Sequence, residues 1–400
     1  MIEKEKRDVL RLASAQALFQ TVSVMMVTAS GVVGLELAPS RSLATLPVAL
    51  SLVGAAVMLI PASLLMRRFG RRAGFLLGAS LGCAAGLLAA AAIHAHSFWL
   101  FAAASLLVGG YSGFAQYYRF AAADVASDAF RSRAISWVVA GGVVAAVAGP
   151  NLVRVTQHWN TEEFLATYLA MTVLSIGALL VIGKLSLPPM GAASTGAARP
   201  LSVIVRQPVY ITALTCSTVG FGVMTMVMTA TPIGMLMCGH TMADSTTVIQ
   251  WHVLGMYLPS FFTGALIRRF GVLRVMAAGI ALLGAHVAVA LSGVAFLHFL
   301  SGLTLLGVGW NFLYVGGTTL LTEAYLPSER VKAQATHDFL MLAVVSAGSF
   351  SAGGLLNHWG WEAVNLTVLP FLVLAAAAVI ALALARRPVR TPVQRNAGPV

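Results

Sequence analysis

Long apolar stretches, separated by short polar and basic segments, make up most of the chain. Each stretch holds about 20 residues rich in Ala, Leu, Val and Gly, which is the length an α-helix needs to cross the hydrocarbon core of a membrane. Period-2 alternation does not run through them, so a transmembrane β-barrel is disfavoured. The pattern predicts an all-α membrane protein with twelve transmembrane helices, at approximately 12–36, 43–66, 73–94, 98–120, 134–156, 164–185, 208–236, 246–267, 274–293, 296–320, 333–356 and 362–385.

The positions of Lys and Arg predict how the chain is oriented. Of the 25 basic residues, 22 fall in the N-terminal segment, in alternate loops between the predicted helices, or in the C-terminal segment. Loops rich in Lys and Arg stay on the cytoplasmic side. We therefore expect a multi-pass protein of the cytoplasmic (inner) membrane with both termini in the cytoplasm, which requires an even number of spans.

Composition excludes several classes of protein. Hydrophobic residues make up 58% of the chain and charged residues 10%, against about 25% charged in a soluble domain. This excludes a soluble enzyme, a nucleic-acid-binding domain and a disordered chain. The net charge of +12 follows from the basic loops, so we expect the lipid bilayer and no nucleic acid as a partner. We see no nucleophile–base arrangement and expect neither enzymatic activity nor a cofactor.

The two parts of the chain repeat each other at an offset of about 200 residues. Three pairs of segments match at equivalent places after predicted helices: Arg67–Gly70 with Arg268–Gly271, Asp124 and Arg131 with Glu323 and Arg330, and His158–Trp159 with His358–Trp359. Several matches at one offset indicate internal duplication. We expect two six-helix halves, 1–185 and 208–400, joined by a cytoplasmic linker at 186–207 that is rich in Pro, Gly, Ala and Ser.

Two six-helix repeats resemble the architecture of the major facilitator superfamily of transporters. The superfamily has a loop motif, Gly-x-Leu-x-Asp-Arg-x-Gly-Arg-Arg, which Arg68, Gly70, Arg71 and Arg72 match, although Arg67 replaces the acid. The second half matches in part, with Arg268 again in the place of the acid. The resemblance implies a secondary transporter with alternating access, and we expect a monomer.

The acid and Arg of the repeat also resemble the charge relay of that superfamily. Asp124 with Arg131, and Glu323 with Arg330, have the same spacing in the two halves. The resemblance implies gating ion pairs; the alternative is ordinary charges at the membrane interface. A proton-coupled carrier needs a titratable group in its cavity, and Glu323 and Asp338 are the candidates.

Four side chains in predicted helices 7 and 8 form a candidate metal site. Met224 and Met228 are four residues apart, as are His252 and Met256, and this spacing places both members of a pair on one helix face. Counted from the outer ends of the helices, Met228 matches His252 in depth and Met224 matches Met256. Thioether and imidazole ligands favour Cu(I). The alternative is that the methionines only fill gaps in an apolar core.

The same four residues resemble the signature of the CcoA-like copper importers, a family within the superfamily. The resemblance implies copper as the transported substrate, with Cys216 and Cys238 as candidate redox or relay positions. Five further histidines near the outer ends either raise the local metal concentration or anchor helix ends: His94, His96, His158, His240 and His358. The sequence thus favours a copper importer.

Two other substrates remain open on the same fold. A related group in this family is associated with riboflavin uptake, so a carrier of riboflavin or a similar aromatic solute is an alternative, as is a drug exporter. Aromatic residues of predicted helices 4 and 10 would then line a stacking cavity: Tyr111, Tyr117, Tyr118, Trp310 and Tyr314. A membrane sensor without transport activity is disfavoured because no soluble domain is visible.

Overall fold

A computed structural model describes residues 2–127, 134, 137–138, 140–187 and 199–386. These residues contain fifteen α-helices: α1 (Ile2–Leu37), α2 (Leu46–Phe69), α3 (Arg71–His94), α4 (Phe98–Ala115), α5 (Tyr118–Val125), α6 (Gly141–Thr156), α7 (Leu165–Gly183), α8 (Leu201–Val205), α9 (Pro208–Met237), α10 (Met242–Tyr257), α11 (Ser260–Phe270), α12 (Val272–Ser292), α13 (Phe296–Leu321), α14 (Arg330–Leu366) and α15 (Val368–Ala385). Short 3₁₀ turns lie at Arg41–Leu43 and Pro327–Glu329.

These helices form twelve membrane crossings. Nine helical stretches of the described residues are long and apolar enough to span a membrane. The last of them, Lys332–Ala385, holds two crossings, because Gly360 has a φ of 78° and breaks the helix there. Helix α6 adds a crossing, and α10 with α11 adds another that is interrupted near Pro259. The predicted all-helical architecture agrees with the described residues.

The repeated loop motif has the same backbone conformation in both halves. Gly70 has φ 87° and Gly271 has φ 86°, a region that residues with a Cβ rarely adopt. The guanidinium of the arginine two residues earlier lies 5.2 Å from the centre of the neighbouring Phe ring in each case: Arg68 over Phe69, and Arg269 over Phe270. Sequence duplication is thus matched by structural duplication. The proposed linker limits stay a prediction, since 188–198 lie outside the described residues.

Small residues bring neighbouring helices into close contact. A Cβ on Gly109 of α4 would lie 2.0 Å from the Ser51 carbonyl oxygen of α2. In the second half, a Cβ on Gly307 of α13 would lie 2.4 Å from the His252 carbonyl oxygen of α10. Backbones approach this closely only where side chains are absent, as is common in membrane helices. The result fixes α10 against α13 and α2 against α4.

The two halves pack together at the end of the bundle away from the repeated arginine loops. There the Gly353 amide donates a 3.0 Å hydrogen bond to Thr45 Oγ1, and Ile233 of α9 packs against Gly31 of α1. We call the opposite end, which carries Arg67, Arg68, Arg268 and Arg269, the basic end. Between the halves, from mid-bundle to the basic end, the helices enclose a cavity.

Candidate substrate-binding cavity

The central cavity has a volume of about 1180 Å³. Its walls come from both halves, chiefly from α1, α2, α4 and α5 on one side and α9, α10, α13 and α14 on the other. At the basic end the lining includes Tyr325 and Gln334, which are hydrogen-bonded to each other at 2.7 Å. Ligand pockets usually measure about 300–1,000 Å³, so this cavity has room for a drug-sized solute together with water.

An aromatic cluster, formed by Phe221, Tyr257, Trp310 and Tyr314, lines one wall of the cavity. Trp310 and Tyr314 lie one turn apart on α13, and their rings stack at 4.9 Å with 9° between the planes. Tyr257 meets Trp310 edge to face at 6.1 Å, and Phe221 lies 6.0 Å from both stacked rings. The sequence had indicated Trp310 and Tyr314; Phe221 and Tyr257 were missed, although Tyr257 directly follows Met256.

Four side-chain polar atoms of the described cavity wall are buried without a protein partner. They are Arg119 Nε, Thr229 Oγ1, Trp310 Nε1 and His337 Nε2. In contrast, Asn311 is fully engaged: its Nδ2 donates to the Met256 carbonyl at 2.7 Å, and its Oδ1 accepts from Thr263 at 2.7 Å. An unpaired buried donor costs about 1–3 kcal/mol. Trp310 and Thr229 are therefore candidate positions for hydrogen bonds to a solute.

Charged side chains line the cavity near its basic end. In the part of the lining that the structure describes they are Arg119 of α5 and Asp338 of α14. Asp338 Oδ1 lies 3.0 Å from His337 Nδ1. Arg119 lies over the Phe120 ring at 4.9 Å and faces the Tyr314 hydroxyl and the Asp338 carboxylate. Asp338, one of the two predicted coupling residues, is thus a cavity residue, whereas Glu323 does not line the cavity.

The cavity receives three of the four predicted metal ligands. Met224, Met228 and Met256 line it, whereas His252 is fully buried with Nδ1–H donating to the Leu303 carbonyl at 2.7 Å. The outer rung of Met228 and His252 therefore does not face the cavity as a pair, because α10 packs mainly against α13 and His252 lies on that side. Metal binding itself stays a prediction; the described residues contain no group of three or more His, Cys, Asp and Glu side chains placed for a metal.

Cys216 lies within α9 and Cys238 directly follows it, so the two cysteines are far apart. Cys216 is buried, with Sγ 3.9 Å from the Ala375 carbonyl oxygen, outside the cavity lining. Cys238 is exposed just after α9. About 22 residues of helix separate them, or about 33 Å at 1.5 Å per residue. A redox or relay role for either cysteine stays a prediction.

Asp124 in the first half has a partner other than the predicted one. Its Oδ2 lies 2.5 Å from Arg71 Nη2, which joins the end of α5 to the start of α3. The predicted partner, Arg131, lies outside the described residues. Arg71 belongs to the loop motif in which Arg67 replaces the usual acid, so Asp124 supplies a carboxylate to that loop. A gating role for Asp124 and Arg131 stays a prediction.

In the second half, Glu323 likewise finds a different partner. Its Oε2 lies 2.6 Å from Arg386 Nη2, just beyond α15. The side chain of its predicted partner, Arg330, is outside the described part of the structure. Both members of the observed pair are partly exposed at the basic end, where an ion pair contributes about 0–1 kcal/mol. The proposed gating role of Glu323 and Arg330 also remains untested.

An ion pair between the partly exposed Arg199 and the buried Glu329 was not predicted. Glu329 accepts hydrogen bonds from Arg199 N, Nε and Nη2 at 2.7, 2.8 and 2.7 Å, and from Leu326 N at 2.9 Å. The Arg199 guanidinium holds the pKa of Glu329 at about 2. This clamp fixes the end of the linker to the loop between α13 and α14, beside the cavity. No local pattern indicates this ion pair, because the partners are 130 residues apart in the chain.

The three tyrosines proposed for a stacking cavity in the first half do not line the central cavity. Tyr111 and Tyr118 are fully buried, in edge-to-face contact with Phe19 at 4.9 Å and Phe75 at 4.7 Å. Tyr117 donates a 3.0 Å hydrogen bond to the Leu59 carbonyl. The expectation that they line the cavity is wrong, because Tyr111 and Tyr118 pack within the first half and Tyr117 packs between α2 and α14.

Several of the five outer histidines are engaged by neighbouring groups at the end opposite the basic one. They contact a carboxylate or a carbonyl: His94 with Glu162 at 2.9 Å, His158 with Glu163 at 3.3 Å, and His240 with the Val294 oxygen at 2.7 Å. These contacts support the interpretation that such residues anchor helix ends.

Comparison with known proteins reveals both the family and a characterised relative. The Major Facilitator Superfamily model matches residues 12–249 and 237–399. The chain is 42% identical over 381 residues to the riboflavin transporter RfnT of Brucella anthropi, covering 94% of this chain and 95% of the relative. It is 30% identical to the uncharacterized MFS-type transporter YddS of Bacillus subtilis, over 85% of this chain and 83% of that one. The crystal structure of the human organic anion transporter MFSD10 (TETRAN) superposes with a TM-score of 0.68 at 15% identity, covering 94% of this chain and 99% of that one.

Proposed function

Since the chain belongs to the major facilitator superfamily and is a membrane transporter rather than an enzyme, we propose that it imports a planar aromatic solute of the riboflavin class through its central cavity. The relative at 42% identity is a riboflavin transporter, which favours the organic-solute hypothesis over copper import. The comparisons offer no support for the narrower resemblance to copper importers.

The observation that carries the proposal is the aromatic cluster with its unpaired donor. Trp310 and Tyr314 present stacked rings to the cavity, and Trp310 Nε1 lacks an acceptor. A flavin ring system offers a flat face for stacking and carbonyl and ring-nitrogen acceptors along its edge. Stacking of aromatic side chains on such planar heterocycles is worth about 1–3 kcal/mol per ring, and the acceptor removes the cost of the buried N–H.

The shape of the cavity supports release on the cytoplasmic side. It extends to the basic end, which the distribution of Lys and Arg places in the cytoplasm, while contacts such as Thr45 with Gly353 join the halves at the other end. Loading from outside then requires these contacts to break and the basic end to close. Asp338, the carboxylate of the described lining, is the residue we propose for proton coupling.

Copper import is the competing hypothesis, and one observation favours it. Met224, Met228 and Met256 expose thioethers to the cavity, and such ligands suit Cu(I). Against it, His252 does not line the cavity that the three methionines share. Its Nδ1–H donates to the Leu303 carbonyl and its Nε2 is unpaired, which is compatible with a metal ligand but lies outside the cavity. The methionines also fit the organic-solute hypothesis, because flexible thioethers adapt an apolar wall to a ligand.

Uptake measurements separate the two hypotheses. Cells that lack their own riboflavin uptake would carry the gene or an empty vector, and labelled riboflavin and copper would be measured side by side. We expect protein-dependent riboflavin uptake that Tyr314→Ala removes and that the double variant Met224→Leu/Met228→Leu retains. Protein-dependent copper uptake without riboflavin uptake would contradict the proposal.

A further inference from the structure

The charged residues of the cavity lie next to the aromatic cluster. Arg119 belongs to the first half and Asp338 to the second, and the two face each other together with the Tyr314 hydroxyl. They do not close into a direct ion pair, and Arg119 Nε is buried without a protein acceptor. Tyr314 therefore belongs to both regions, as a stacking surface and as a neighbour of the charges.

Arg119 and Asp338 bring one full charge of each sign to this part of the cavity. In the described lining the guanidinium of Arg119 is balanced by the carboxylate of Asp338, which His337 Nδ1 holds at 3.0 Å. A hydroxyl group satisfies both charges, since it accepts from the guanidinium and donates to the carboxylate. A phosphate or carboxylate gains the guanidinium but is repelled by Asp338, and repulsion is strong where water is scarce.

We propose that Arg119 and Asp338 form a charge-balanced subsite beside Tyr314, which binds the neutral hydroxylated tail of an aromatic solute and rejects an anionic tail. The inference rests on the proposed function and deepens it. A ring stacked on Tyr314 directs its substituent toward the subsite. The aromatic cluster then binds the ring and the subsite binds the tail of the same molecule. The selected class is an uncharged planar heterocycle with a polyol chain, in preference to its phosphate ester.

Binding of riboflavin and of riboflavin 5′-phosphate to the purified full-length protein tests this selectivity. Quenching of flavin fluorescence would give both dissociation constants for the wild type, Asp338→Asn, Arg119→Gln and a control. Glu162→Gln is a matched control, because it removes a carboxylate that pairs with His94 at the far end of the molecule. Size-exclusion profiles would verify that each variant is folded.

We expect the wild type and Glu162→Gln to prefer riboflavin. Asp338→Asn removes the carboxylate that balances Arg119. The affinity for riboflavin 5′-phosphate, divided by that for riboflavin, should then rise about tenfold or more over the wild-type ratio, as expected for a charge-assisted hydrogen bond. Arg119→Gln shifts the ratio in the opposite direction, which keeps the test decisive if one variant fails to fold. An affinity ratio unchanged by the folded variants would overturn the subsite while leaving riboflavin transport intact. A wild type that binds neither flavin would overturn the proposed function and this inference with it.

Discussion

Removing the ring of Tyr314 is the most direct perturbation of the aromatic cluster. Its phenol ring stacks on Trp310 at 4.9 Å and 9° and lies 6.0 Å from Phe221. Stacking on a planar heterocycle is worth about 1–3 kcal/mol, so Tyr314→Ala should weaken riboflavin binding about 5- to 150-fold. Tyr314 borders an existing cavity and is only partly buried, so the change should cost less stability than the roughly 3–5 kcal/mol of a buried aromatic-to-Ala change.

Two further variants isolate the contribution of the ring. Tyr314→Phe keeps the stacking surface and removes only the hydroxyl that faces Arg119. Riboflavin binding should then remain within about fivefold of wild type, because a neutral hydrogen bond is worth about 1 kcal/mol. Tyr325→Ala removes a ring that lines the cavity outside the cluster and should have little effect. Fluorescence titration of purified variants supplies the constants. Binding by Tyr314→Ala within twofold of wild type, or equal losses for Ala and Phe, would refute the stacking argument.

Three other predictions follow. Met228→Leu preserves volume and apolarity, costing less than about 1.5 kcal/mol, so flavin uptake should persist; selective loss of copper uptake in the same cells would instead support the metal site. Arg199 lowers the pKa of Glu329 to about 2, so the ion pair stabilises the fold fully above the ordinary carboxyl pKa of about 4.3 and is lost as the pH falls from there toward 2. The melting temperatures of wild type and Glu329→Gln should therefore converge as the pH falls over that range, and a constant difference between them would contradict the assignment. Reporter fusions in 186–207 should face the cytoplasm and a fusion near Asn357 the outside; the reverse at either site would refute the orientation.

Residues whose environment is set by their own helix were predicted best. The crossings, the breaks between them and the repeated turn at Gly70 and Gly271 follow from local apolar length, basic loops and the need for glycine at positive φ. Trp310 and Tyr314, one turn apart on α13, were also identified as candidates for one wall. In these cases the pattern of residues along a single helix is enough to predict the feature.

Contacts between helices were predicted least well. His252 and Met256 share an α10 face by sequence, yet only Met256 lines the cavity, because Gly307 allows α13 to approach α10 closely and His252 turns to the Leu303 carbonyl. For the same reason Tyr111 was mistaken for a cavity residue, since apolar spans give little indication of which face meets a neighbour, the cavity or lipid.

A twelve-helix membrane transporter built from two repeats can be predicted from one-dimensional properties, because the bilayer acts directly on helix length, apolarity and the placement of basic residues. Which side chains share the cavity depends instead on how the helices pack in three dimensions. Arg119 and Asp338 are more than 200 residues apart and come from different halves, and Arg199 reaches Glu329 only after the linker docks. Such juxtapositions depend on helix rotation and close packing, which the many small residues of the chain permit and which no local pattern encodes.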